Sequence, residues 1–293
     1  MTTSPSAAAT FRVVDAHTHF YDPSRPGGIT WPSRTDNQLF RPLLPPDYRT
    51  CAVPRPVAGV IAIETSDRLE DTRWLLALAA TDPFVLSVVG NLPVGTPEFA
   101  RQLDLLGPLG RLCGVRLPRV RLGHALSGKG LHDLRLLASL GLTLDVYGGP
   151  ALLPDLIRLA SLVTGLSIVI DHAAYVPNDE QLSAAEWAKG LRAAAAAPNV
   201  FCKVSAFVES TGLRDRSAPS ELQFYRPVLD VLWNAFGPER LIYGSNWPVC
   251  ELFAPLETVQ QIATEYVVSH GGAAALGVLG GNAERIYGCR SRR

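Results

Sequence analysis

The sequence predicts a single-domain α/β fold, one closed (β/α)8 TIM barrel. Three observations predict it. Eight short apolar runs alternate with longer helical patterns. The 293 residues accommodate eight strand–helix units with no internal repeat or low-complexity linker. The first apolar run ends in His17-Thr18-His19 rather than in a glycine-rich turn. Regular strand–helix alternation makes a parallel sheet, and eight units close it into a barrel. A doubly wound open sheet would normally carry a phosphate-binding glycine turn after its first strand.

The strands are expected near residues 12–16, 57–63, 84–89, 114–117, 142–146, 167–171, 200–205 and 241–245. Helical periodicity fills most of the intervals, at 70–80, 97–106, 131–139, 154–163, 184–197 and 221–236, with a last helix at 256–269. The barrel is expected over residues 11–288, between a flexible N-terminus (1–10) and a short basic tail (289–293). The connection after the first strand, residues 21–56, is long and rich in proline and aromatic residues. Loops of that length in compact domains often cover or build binding sites, so it is placed over the barrel mouth.

Composition narrows the function. Hydrophobic residues are 47% and charged residues 18%, enough for a large core. Lys and Arg together number 27, as do Asp and Glu, so no charge excess draws the chain to nucleic acid or to an anionic membrane. No apolar run approaches the roughly 18 residues of a membrane span, and the first ten residues do not read as a signal peptide. Five scattered cysteines (Cys51, Cys113, Cys202, Cys250, Cys289) with no CxxC pair suit neither a disulfide framework nor a zinc motif. They read as reduced thiols of a cytoplasmic protein.

Strands buried on both faces should be continuously apolar, yet these carry polar residues at their C-terminal ends. Alternation of side chains groups Asp15, His17 and His19 on one face of the first strand. On later strands it groups Val60, Ala62 and Glu64; Ser87, Val89 and Asn91; Gly114 and Arg116; and Thr143, Asp145 and Tyr147. The last three groups are Ile168, Ile170 and His172; Phe201, Lys203 and Ser205; and Ile242, Gly244 and Asn246. Burying an unpaired charge costs several kcal/mol, and the C-terminal ends of barrel strands are where active sites form. Any one of these residues can be structural. Asp15 can cap or orient, Lys203 can pair with a carboxylate below the site, and Arg116 can pair with Asp145. The joint pattern points to one reactive mouth.

Asp15-Ala16-His17-Thr18-His19 resembles the HxH signature of the amidohydrolase superfamily. Thr30-Trp31-Pro32 with Arg41-Pro42-Leu43-Leu44-Pro45 resembles the lid region of its lactonase branch, which includes 2-pyrone-4,6-dicarboxylate lactonase and L-fuconolactonase. Gly114-Val115-Arg116, Val169-Ile170-Asp171-His172, the run from Val200 to Ser205, Tyr243-Gly244-Ser245-Asn246-Trp247-Pro248 and the run from Gly281 to Tyr287 follow in the family's order. The resemblance implies a hydrolase that opens a lactone ring by attack of water. It implies that His17, His19 and His172 act on the reacting carbonyl or hold one divalent ion, that Arg116 contacts substrate oxygens, and that a metal is often dispensable.

Three histidines could give zinc three nitrogen ligands and leave one position open. Lys203 and a total of six histidines argue against a binuclear centre, and His124, His132 and His270 read as surface residues. The expected cofactor is therefore none, or one divalent ion such as Zn2+. Tyr147, Lys203, Asp145 and Trp31 are the further candidates for substrate contact.

One position departs from the resemblance. The eighth-strand motif usually carries an aspartate as general base, and this chain has Asn246. An amide cannot take a proton from water. Another group then serves, His172 or Glu64 by strand position, or a metal acidifies the water, or hydrolysis is lost. A metal-dependent decarboxylase and a non-catalytic binding protein are the alternatives. Arg34, Arg41 and Arg49 in the first loop hint at an anionic small-molecule substrate, although each alone reads as solvated loop charge.

Overall fold

The computed structural model describes residues 12–176 and 183–289. The expected flexible start, residues 1–10, and the expected tail beyond Cys289 lie outside the described residues. Eight parallel strands run in sequence order: β1 (Val13–Thr18), β2 (Val57–Ile63), β3 (Val85–Gly90), β4 (Leu112–Pro118), β5 (Thr143–Tyr147), β6 (Ile168–Ile170), β7 (Val200–Val204) and β8 (Leu241–Tyr243). Helices α1 (Pro45–Arg49), α2 (Leu69–Thr81), α3 (Glu98–Leu106), α4 (Arg119–Ala125), α5 (Gly128–Ser139) and α6 (Leu153–Leu162) lie between the first six strands. Then come α7 (Ala184–Ala195), α8 (Leu222–Phe236), α9 (Leu256–Val268), α10 (Gly272–Leu276) and α11 (Asn282–Ile286). The barrel closes just beyond β8, where Asn246 N–H donates to the His17 carbonyl (2.9 Å) and His19 N–H to the Trp247 carbonyl (2.8 Å).

The wall separates two apolar layers. Outside, residues such as Val60, Ala62, Val88, Ile168 and Ile170 pack with the helices. Inside, Val14, Ile61, Ile63, Val89, Val169, Phe201 and Ile242 fill the barrel, and Ala283, Ile286 and Tyr287 at the C-terminal helix close its N-terminal end. The inward sets expected on β2 and β6 are therefore reversed: Ile61, Ile63 and Val169 face inward. On β1 the expected face changes midway. Between Asp15 and Thr18 the register against β2 slips, with three residue steps facing two, which is a β-bulge. The bulge lets Val14 and Ala16 join the interior layer while His17 still turns into the barrel. Asp15 is sent the other way, where it accepts from Tyr48 Oη (2.8 Å) and from the Ser245 N–H (2.8 Å). Pleat alternation cannot foresee an inserted residue. Gly244 makes room for the result, since a Cβ there would stand 2.7 Å from the His17 Cβ.

The long first loop is tied down by one carboxylate. Asp71, buried in the first turn of α2, bonds Arg25, Ser66 and Arg68, and Arg68 reaches the carbonyls of Gly27 (2.9 Å) and Gly28 (2.7 Å). A carboxylate suits the positive end of a helix, and bonds to charged groups are worth about 1.5–3 kcal/mol each. Asp71→Ala is expected to lower stability by about 2–3 kcal/mol and to speed proteolytic cleavage of the first loop, read by a thermal melt and a digestion time course. Cleavage at the wild-type rate would remove this anchoring role.

Candidate active site

A cavity of about 510 Å3 opens at the C-terminal ends of the strands. His19, Trp31, Glu64, Arg116, Tyr147, His172 and Asn246 line it, joined by Asn91 and Tyr175. Residues from the ends of β1, β2, β4, β5, β6 and β8 and from the first loop thus meet at one mouth. His17, Asp145 and Lys203 do not line it; all three are fully buried beneath. A larger cleft of about 680 Å3 between the first loop and the segment after β8 contains none of the expected site residues.

The buried layer is a charge network. Lys203 Nζ stands 2.7 Å from Asp145 Oδ2 and 2.9 Å from Asp171 Oδ1. Tyr287 Oη donates to Asp145 (2.7 Å) from the barrel floor. Asp171 also accepts from Arg116 Nε at 2.8 Å. Burial would raise the Asp171 carboxyl, but the Lys203 and Arg116 cations outweigh it and hold the group well below the usual carboxylate range. Asp145 pairs with Lys203, so the alternative that Arg116 pairs with Asp145 does not hold, although the two residues are register partners on β4 and β5. Arg116 reaches across to Asp171 instead. It lies 3.8 Å from Glu64 and stacks on the Tyr147 ring at 4.1 Å.

Three strand ends turn their side chains by leaving strand geometry. His172 (φ 55°), Ala206 (φ 54°) and Asn246 (φ 62°) are left-handed. At His172 this turn brings two consecutive residues, Asp171 and His172, into the same interior network. A strained backbone of this kind costs about 1–3 kcal/mol and persists where surrounding structure enforces it.

The histidines are neutral. Burial pushes His19 and His172 down to about 3, and for both the Arg116 and Lys203 cations add to the effect. Burial and then Lys203 push His17 well below its ordinary value. Their tautomers follow from their partners. His19 Nδ1 meets the Ile63 carbonyl at 3.1 Å, so it carries the proton and Nε2 presents a lone pair. The Lys203 ammonium donates to His17 Nδ1 at 3.2 Å, so His17 Nε2 carries the proton; it is buried and has no partner among the described residues. His172 Nδ1 pairs with Ser205 Oγ at 2.9 Å.

Among the described residues, the atoms that lie close enough to grip one ion belong to His17, Asp171 and His172, not to the three histidines expected from the sequence. The Lys203 ammonium stands beside two of these donors, His17 Nδ1 (3.2 Å) and Asp171 Oδ1 (2.9 Å), and competes with an ion for them.

Two carboxylates in this region are poised near neutrality. Burial raises Glu64 to about 7 against the opposing pull of Arg116. Burial also raises Glu209 to about 7, against the hydrogen bond from Asn246. Asp171, Tyr175 and Glu209 were not among the residues singled out in the sequence. Alternation assigned Asp171 to the helix side, and Glu209 lies in the loop after β7, where no periodicity marks it.

A (β/α)8 barrel with histidines, a buried lysine and paired carboxylates at its C-terminal mouth is built as a hydrolytic enzyme of the HxH type. The chain belongs to the amidohydrolase family, whose model, described as Amidohydrolase, matches residues 14–289. It is 30% identical to an L-fucono-1,5-lactonase from Burkholderia ambifaria, over 95% of this chain and 96% of that one. Two crystal structures of an amidohydrolase from Burkholderia multivorans, one with bound HEPES and one with bound zinc, are each 27% identical. Each covers 95% of this chain and 100% of the other, with a TM-score of 0.83. Among the described residues no helix is long and apolar enough to cross a membrane.

Proposed function

We propose that this enzyme opens the ring of a small, uncharged, hydroxylated lactone by attack of water. The convergence of His19, His172, Glu64, Arg116 and Asn246 on one cavity carries this reading, with the lactonase relative supporting the reaction class. Charge pairing supports the substrate class. Both arginines lining the cavity are paired, Arg116 with Asp171 and Arg121 with Asp67 at 3.0 Å. Arg49 of the first loop pairs with Asp82, and Arg41 faces the other cleft. Among the described cavity-lining residues no unpaired arginine stands ready for a carboxylate, so hydroxyl recognition fits better than the anionic substrate first expected.

In the proposed reaction, Glu64 takes a proton from water as its oxygen bonds to the ring carbonyl carbon. The ring C–O bond then breaks, and Glu64 returns the proton to the departing alkoxide, giving an open hydroxy acid. Arg116, which lines the cavity, is the donor for the tetrahedral oxyanion, since preorganised donors supply large catalytic terms. Arg116 holds the ring oxygens with Tyr147 stacked behind it, and His19 Nε2 accepts from a substrate hydroxyl. Lys203 and Asp145 hold His17 and Asp171 in place from below.

A panel of neutral and anionic lactones, followed by proton release, tests this. Ring opening of neutral sugar-acid lactones is expected, retained within about twofold after chelator treatment, with substoichiometric metal by elemental analysis; a catalytic ion would give far larger losses. Activity lost to chelator and restored by zinc would overturn the metal-free reading. Turnover of aromatic carboxylic acids to CO2, with no lactone opened, would overturn the hydrolytic one.

A further inference from the structure

Asn246 has four polar groups, and three are committed. Its N–H donates to the His17 carbonyl (2.9 Å), its carbonyl accepts from Cys250 N–H (3.2 Å), and its Nδ2 donates to Glu209 Oε1 (2.9 Å). Among the described residues nothing bonds Oδ1, and Asn246 lines the cavity. Glu209 does not line it. Its second carboxylate oxygen is buried and has no hydrogen-bond partner among the described residues, so the side chain interacts with the site through the Asn246 amide.

We propose that Glu209 is a positioning residue that fixes the Asn246 amide with its oxygen toward the cavity. The eighth strand thereby keeps an acceptor for the hydrogen of a water or a substrate hydroxyl, while the proton itself goes elsewhere. An amide alone has two faces of opposite hydrogen-bond sense, and a rotation of its plane exchanges them. An ionised carboxylate can only accept, so it admits one orientation. The left-handed backbone of Asn246 suits this residue, because asparagine tolerates that region better than most. The carboxyl of Glu209, raised to about 7 by burial, is ionised on the alkaline side of neutrality, where the orientation holds. What the acceptor serves rests on the lactone-opening reading; the orientation of the amide does not.

The two residues form a pair that can be exchanged. Asn246→Asp alone sets two carboxylates within hydrogen-bond distance, and one must hold a proton. Glu209→Leu frees the amide to rotate. Asn246→Asp with Glu209→Gln reverses the bond, an amide now donating to a carboxylate that faces the cavity. The expected result is that each of Asn246→Asp and Glu209→Leu lowers kcat/KM about tenfold or more, and that the double exchange recovers most of it, as coupled neighbours do. Losses in the double variant that equal the sum of those in Asn246→Asp and Glu209→Gln measured singly, or Glu209→Leu at wild-type rates, would overturn the proposal.

A second measurement needs no substrate. In 15N-labelled protein, the Asn246 side-chain NH2 signals, identified by their loss in Asn246→Asp, are expected to shift in Glu209→Leu and to titrate near pH 7 in the wild type. Signals unmoved by Glu209→Leu would overturn the orientation even if every lactone is hydrolysed. Shifted signals with no lactone opened would sink the lactone reading alone.

Discussion

Lys203→Met is expected to lower stability by about 3–5 kcal/mol, the cost of breaking a buried ion pair by removing one partner. For a domain of this size that is a fall in melting temperature of roughly 5–15 °C. Lys203 is fully buried and balances both Asp145 and Asp171. Methionine fills similar space but leaves Asp145 without a cation and Asp171 with Arg116 alone. Two outcomes check the assignment. Lys203→Met combined with Asp145→Asn is expected to recover part of the loss, since it removes one of the stranded charges. A circular-dichroism melt within about 2 °C of wild type would show instead that the network contributes little to folding. Activity is expected to fall more than stability alone explains, because Lys203 also holds Asp171, which positions Arg116 at the cavity.

Glu64→Gln is expected to reduce kcat/KM by about 100- to 10,000-fold, the usual worth of a general base. The pH profile gives the sign. The active form of Glu64 is the carboxylate, and burial raises this group to about 7. Activity is therefore low on the acid side and rises through neutrality. His19 and His172, pushed down to about 3, are neutral throughout that range and do not make the limb. In Glu64→Gln the residual rate should lose the steep limb and keep only the shallow one, about tenfold, that Glu209 imposes through Asn246. A limb of undiminished height in Glu64→Gln would remove the base role from Glu64.

The barrel itself was legible because its signal is distributed: eight apolar runs and the helices between them outvote any local error. The residues at the mouth were legible as types more than as directions. His17, His19, Arg116, His172 and Asn246 stood out because charge or a polar group at the end of a buried strand is expensive. Their orientation depends on a bulge in β1 and on left-handed residues at the ends of β6 and β8, which alternation cannot register. That is why Asp15 was grouped with His17, and why Asp171 was given to the outer face. Glu209 was illegible for a different reason. It sits in an irregular loop and gains meaning only from the amide bonded to it. Lys203 and Asp145 were read as contacts for a ligand, with pairing to a carboxylate below the site as the alternative for Lys203; their fully buried ion pair below the cavity matches that alternative.

The floor of the barrel has a consequence for how the enzyme is made. Tyr287 bonds Asp145 from below, and Ala283 and Ile286 seal the interior beside it. On a ribosome this closing segment emerges only after all eight strands. Until it docks, the carboxylates inside a nascent barrel stand open to water and their pairing with Lys203 is weakened. Catalytic competence thus waits on a segment made after the last strand, one that never meets the substrate.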